Sequence, residues 1–140
     1  MIIAVDFDGT IVEHAYPKIG KEIPFAIDTL KLLQKDKHQL ILWTVREDDL
    51  LQEAVDFCRA KGLEFYAINE SMPDKIDAKF MSRKVTADLF IDDRNLGGML
   101  DWGIIYQMIK SGKAFEQASQ SIENEYLKPR KGFFAKLFQK

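Results

Sequence analysis

Short runs of β-branched and aliphatic residues alternate with amphipathic segments along most of this chain. Ile2–Val5 is such a run, and it stops at Asp6 and Gly9, the pattern of a buried parallel strand feeding a turn. Pro24 opens a segment in which Phe25, Ile27, Leu30, Leu32 and Leu33 recur at helical spacing, so a helix is expected over 24–36. Residues 39–44 return to an apolar, β-compatible run, and 48–61 read as an amphipathic helix closed by Gly62. A third strand is expected over 64–68 and a fourth over 87–91, with a polar loop, 69–84, between them. Asp101 is placed to cap a further helix through Trp102, Ile105, Met108 and Ile109, which Gly112 would stop.

Strands alternating with helices of this length imply βαβ units. The expected fold is a Rossmann-like, doubly wound α/β domain with a mainly parallel sheet. Ligands of such sheets bind beyond the carboxyl ends of the strands. Asp6, Thr44 and the pair Asp92-Asp93 all fall at expected strand ends, so the fold would gather them at one rim despite their distance in sequence.

Composition narrows the setting. A chain of 140 residues with 46% apolar content supports one hydrophobic core and not two ordinary domains. Twenty basic against 22 acidic residues leave a net charge of −2, too little to draw the whole chain to nucleic acid or an anionic membrane. Cys58 is the single cysteine, which excludes an internal disulfide and a thiolate metal cage and fits a reducing cytoplasm. No apolar run approaches the ~20 residues of a membrane span, and the amino terminus has no basic region, so a cytoplasmic protein is expected.

Four acids at one rim carry the chemistry. Asp6 and Asp8, two apart at a strand end, are expected to point to the same side. With Asp92 and Asp93 they crowd like charges that raise each other's pKa unless a cation neutralises them. All the candidate ligands are oxygens, which favours Mg2+ over zinc or copper. Gly9 lets the backbone turn tightly beside the ion. Thr44 supplies a hydroxyl, and a lysine such as Lys84 would complete a shell that grips a phosphoryl group; Lys79 and Arg83 compete for that role.

These residues resemble a known family. Asp6-Phe7-Asp8-Gly9-Thr10 matches the DxDGT signature of the haloacid dehalogenase-like phosphatases, and Leu42-Trp43-Thr44 matches their second motif. Lys84 and Leu89-Phe90-Ile91-Asp92-Asp93 resemble the third and fourth motifs, in the same order, so the likeness spans about residues 1 to 110. The resemblance implies that Asp6 attacks phosphorus, that Asp8 protonates the leaving oxygen and then activates water, and that Thr44 and Lys84 hold the phosphoryl oxygens. It places Mg2+ on Asp6, on the Asp8 backbone carbonyl and on the acidic pair. Asp93 is the direct ligand by that likeness, and Asp92 stands behind it. Gly9 and Thr10 would border the substrate.

The family's cap domains have no room here: 33 residues separate Thr10 from Thr44, and 39 separate Thr44 from Lys84. The site is therefore expected to be open. By resemblance that suits a phosphorylated small molecule covered by a neighbouring subunit of a homo-oligomer, or the terminal phosphate of a macromolecule. The chain looks like a small capless branch of bacterial and phage hydrolases without an assigned substrate.

Other residues carry two readings each. Arg46 stands in the loop after Thr44 and would either contact substrate or form an exposed salt bridge. Asn69 and Glu70 would shape specificity or start a turn, His14 reads as a solvated surface residue, and Trp102 as a packing residue. After residue 127, Lys128, Arg130, Lys131, Lys136 and Lys140 surround Phe133, Phe134, Leu137 and Phe138. This basic, aromatic tail would dock on a partner or an anionic surface, or pack on its own domain. The competing functions are a phosphoacceptor signalling domain and a catalytically silent binding protein on the same scaffold. Receivers, however, place the acidic pair first, and a binding role needs neither Asp6 nor Asp8.

Overall fold

Four short strands form one parallel sheet in a computed structural model that describes residues 1–72 and 84–112. They are β1 (Ile2–Val5), β2 (Gln39–Leu42), β3 (Ala67–Ile68) and β4 (Leu89–Ile91), in the order β3-β2-β1-β4. Three helices accompany them: α1 (Ala26–Lys35), α2 (Asp48–Ala60) and α3 (Trp102–Lys110). Residues Met1–Gly103 make one unit, and 104–140 a second, described as far as Gly112. This is the expected Rossmann-like α/β architecture, and no cap domain occurs among the described residues. The boundary expected at residue 127 and the basic tail lie outside them.

The middle of the sheet is fully buried: Ile3, Val5, Leu40, Ile41 and Leu42 have no exposed surface, and each such side chain contributes roughly 2 kcal/mol by leaving water. Successive crossovers from β1 to β2 to β3 advance in one direction, so their right-handedness puts α1 and α2 on the same face. The chain then returns across both central strands to β4. On the other face Ala4, Ile41, Ala67 and Val85 form a cluster, flanked by Ile2, Trp43, Ala87 and Phe90.

Register decides where the rim lies. Val5 is level with Leu42 on one side and Ile91 on the other, so Asp6, Trp43 and Asp92 leave the sheet side by side. Two bonds continue the ladder by a step: the Asp6 N–H donates to the Ile91 carbonyl at 3.0 Å, and the Trp43 N–H to the Val5 carbonyl at 2.8 Å.

The elements are shorter than their patterns predict. Helix α1 starts at Ala26 rather than Pro24 because Phe25 takes a left-handed conformation, φ 67°, and the Ala26 N–H closes a turn on the Ile23 carbonyl. Strand β2 stops at Leu42 where Trp43 and Thr44 turn into the rim. Strand β3 keeps two of the five expected residues, since an edge strand has one neighbour to pair with. Helix α2 ends at Ala60, followed by Gly62 at φ 76°. Asp101 Oδ1 accepts the Gly103 N–H at 2.8 Å, the expected cap at the start of α3.

Between β1 and α1 the chain makes an arm that the hydropathy pattern does not announce. Residues 11–13 run antiparallel to 21–23: the Glu13 N–H donates to the Lys21 carbonyl at 2.8 Å and the Ile23 N–H to the Ile11 carbonyl at 2.9 Å. Gly20 permits this closeness, because a Cβ there would lie 2.0 Å from the Glu13 carbonyl oxygen.

Candidate functional site

Carboxylate oxygens of Asp6, Asp92 and Asp93 lie within 4.8 Å of one another at the carboxyl ends of β1 and β4. The fold thus joins three of the four acids expected at the rim. Asp6 is largely buried, and its carboxyl is pushed up to about 6, first by loss of solvation and then by the charges of Asp92 and Asp93. A backbone bond from Phe7 and the Thr10 hydroxyl act the other way and do not offset the burial.

Thr10 sits beneath this cluster. Its hydroxyl donates to Asp6 Oδ2 at 3.3 Å and accepts the Asp93 N–H at 3.1 Å, and its carbonyl accepts the Trp102 indole N–H at 3.2 Å. It has no exposed surface, so it does not border substrate as the motif implied; the turn after Asp6 folds it inward, where it holds both acids. Trp102 packs as expected, 1% exposed, and adds that indole bond.

Gly9 lines both the acidic rim and a cavity of about 330 Å³ whose other walls include Ile23, Pro24, Phe25, Leu100 and Trp102. Its φ is 96°, and a Cβ there would fall 2.3 Å from His14 Nε2 and 2.7 Å from Asp93 Oδ2. Those two atoms form a pair at 2.8 Å. His14 is exposed, as expected, yet pairs with Asp93 at the edge of the site; its only signal in the sequence is its place five residues after Gly9.

Asp93 carries the clearest sign that this cluster suits a cation. While Oδ2 meets His14, its Oδ1 is buried and has no hydrogen-bond partner among the described residues. A buried, unpaired carboxylate oxygen beside two further carboxylates fits a hard divalent cation with oxygen ligands. Asp92 Oδ1 also accepts the Arg94 N–H at 2.8 Å, and the Asp92 carbonyl accepts the Asn95 side-chain amide at 2.8 Å, which fixes the loop after β4.

Asp8 stands apart from the cluster. Both of its oxygens are taken by Arg46, Nε to Oδ2 and Nη2 to Oδ1, each at 2.7 Å. Strand alternation does not carry past Val5, because the chain turns at Asp8 and Gly9, and the buried guanidinium claims the second carboxylate. Arg46 itself is fully buried, which corrects both expectations for it, the substrate contact and the exposed salt bridge.

Thr44 takes the expected place at the end of β2. Its N–H donates to Asn69 Oδ1 at 2.8 Å, and its hydroxyl accepts the Arg46 N–H at 3.3 Å. Asn69, at φ 52°, thus fixes Thr44 from the end of β3. Lys84 lies with its ammonium 5.9 Å from the centre of the Phe90 ring, on the sheet face that also carries Ala4 and Trp43. Its rivals Lys79 and Arg83 fall outside the described residues.

Fold and rim together define a parallel α/β protein with an acidic cluster suited to a metal ion. No family model and no curated protein matches the chain. A solved structure, the conserved protein coded by a locus of Bacteroides thetaiotaomicron, is 56% identical, covering 100% of this chain and 98% of that one with a TM-score of 0.78. The chain belongs to the family of that conserved protein.

Proposed function

We propose that the chain is a Mg2+-dependent phosphohydrolase that cleaves phosphate monoesters through an aspartyl phosphate on Asp6. The observation that carries this reading is the unpartnered, buried Asp93 Oδ1 beside Asp6 and Asp92, at the end of a strand that closes in DFDGT. Asp6, Asp92 and Asp93 would hold the ion, which when bound neutralises the crowded carboxylates and the charge of a phosphoryl group. Asp6 attacks phosphorus, a new O–P bond forms, and the bond to the leaving oxygen breaks. Asp8 gives that oxygen a proton. Water then attacks the aspartyl phosphate as Asp8 takes a proton back, which frees phosphate and restores Asp6. Thr44 and Lys84 are assigned to the phosphoryl oxygens. A cytoplasmic setting belongs to the same reading; among the described residues no helix is long and apolar enough to cross a membrane.

The test is turnover of aryl phosphates, nucleotides and oligonucleotide ends with and without Mg2+, on wild type, Asp6→Asn and Asp93→Asn. Activity that requires Mg2+, vanishes in a folded Asp6→Asn protein and needs more Mg2+ in Asp93→Asn supports the proposal. Calorimetry that detects no Mg2+ binding at millimolar levels, or undiminished turnover in Asp6→Asn, refutes it.

A further inference from the structure

Arg46 is the one fully buried charged residue among those described. Its guanidinium has five N–H donors, and four hydrogen bonds are made with them. Two go to Asp8, one from Nη1 to the Pro17 carbonyl and one from Nη2 to the Lys18 carbonyl, the last two at 2.9 Å. The rings of Phe7 and Tyr16 lie 5.1 and 5.4 Å from its central carbon. Donors already committed in this way leave little for an incoming phosphate. The fork matches a carboxylate bidentately, a geometry that lysine cannot reproduce.

We propose that Arg46 is a positioning residue: it fixes the orientation of the Asp8 carboxylate and, through the carbonyls of Pro17 and Lys18, ties the 11–23 arm to that carboxylate. The inference rests on the phosphohydrolase reading above, in which Asp8 handles the leaving-group proton. One buried side chain joins the turn after β1, the 11–23 arm and the stretch after β2. Because β2 delivers Arg46 two residues beyond Thr44, the phosphoryl-gripping hydroxyl and the proton-handling carboxylate are registered to each other through one short stretch of backbone.

Leaving-group dependence separates positioning from simple structural support. Phenolate leaves poorly from phosphorus without a proton, whereas 2,4-dinitrophenolate leaves readily without one. With Mg2+ present, Arg46→Lys should lower kcat/KM on phenyl phosphate by about tenfold or more beyond its effect on 2,4-dinitrophenyl phosphate, since kcat/KM ends at release of the phenol and excludes the water attack that both substrates share. On an Asp8→Asn background the same substitution should add no such bias, because Arg46 acts through Asp8. Equal losses of kcat/KM on the two substrates would overturn the inference while leaving the phosphohydrolase reading in place. A wild type inactive on both substrates and on the wider panel would instead overturn that reading, and this inference with it. If Arg46→Lys does not fold, Tyr16→Ala takes its place, since Tyr16 is exposed and its ring covers the guanidinium. It should show a bias in the same direction of about threefold, and its absence would overturn the inference.

Discussion

The backbone N–H of Asp93 donates to the hydroxyl of Thr10 at 3.1 Å, which ties the end of β4 to the turn after β1. The same hydroxyl reaches Asp6, so the distance between two of the clustered acids is set by a third residue that neither titrates nor faces solvent. Thr10→Val keeps the shape and removes both bonds. It should cost about 1–3 kcal/mol in urea unfolding, because a buried N–H loses its acceptor, and it should weaken Mg2+ binding by calorimetry. Thr10→Ser should recover most of both losses; a Thr10→Val protein with wild-type stability and metal affinity would refute the bridging role.

Asp6 makes stability depend on pH in the absence of metal. Its folded pKa, about 6, lies above the ordinary 3.8, so the fold disfavours its ionised form. That penalty is absent below about pH 4, grows as pH rises toward 6 and is fully present above. In EDTA, Asp6→Asn should therefore be more stable than wild type at pH 7, by on the order of 1–2 kcal/mol after allowance for its partial exposure. The difference should close near pH 4. Saturating Mg2+ should narrow it at pH 7, because a cation supplies the compensation that the neutral amide no longer needs. A pH-independent difference in chemical denaturation would contradict this account.

Gly9→Ala tests the close approach of His14 to Asp93. A methyl group there meets both side chains and also requires a left-handed backbone, so the pair must separate. The expected cost is about 1–3 kcal/mol of stability, together with weaker Mg2+ binding. A Gly9→Ala protein that binds Mg2+ like wild type would show that the His14–Asp93 contact is dispensable to the cluster.

Cys58 should be chemically silent in the folded protein. It is buried in α2, and loss of solvation pushes its thiol up to about 12. At pH 8 the reactive thiolate is then on the order of one part in ten thousand, and a disulfide reagent should modify the native protein only as fast as it unfolds. Rapid stoichiometric labelling without denaturant would place Cys58 outside the core described here.

Much of this protein is legible in local pattern. The run before Asp6, the periodicity of α1 and α2 and the glycine stops act over a few residues, and they were sufficient to predict the parallel sheet and the strand ends at which Asp6, Asp92 and Asp93 come together. Strand ends were less legible. The pattern over 64–68 begins before the strand does: the Tyr66 N–H already donates to the Leu40 carbonyl at 2.8 Å, yet only Ala67 and Ile68 become strand. Sequence alone also excluded an internal disulfide and a thiolate metal cage, since it holds one cysteine.

Tertiary structure decided which side chains those acids would meet. Two aspartates at i and i+2 look equivalent in sequence, yet Asp6 joins Asp92 and Asp93 while Asp8 turns to Arg46. His14 stays at the surface as its sequence suggests, but the turn at Gly9 pairs it with Asp93, and Thr10 reads as a substrate contact until the Asp93 N–H and the Trp102 indole close over it. The reason is physical. Periodicity and turn propensity record interactions within a few residues, whereas desolvation and charge pairing belong to whichever segments the fold presses together, here positions 6, 8, 14, 46 and 93 around one strand end.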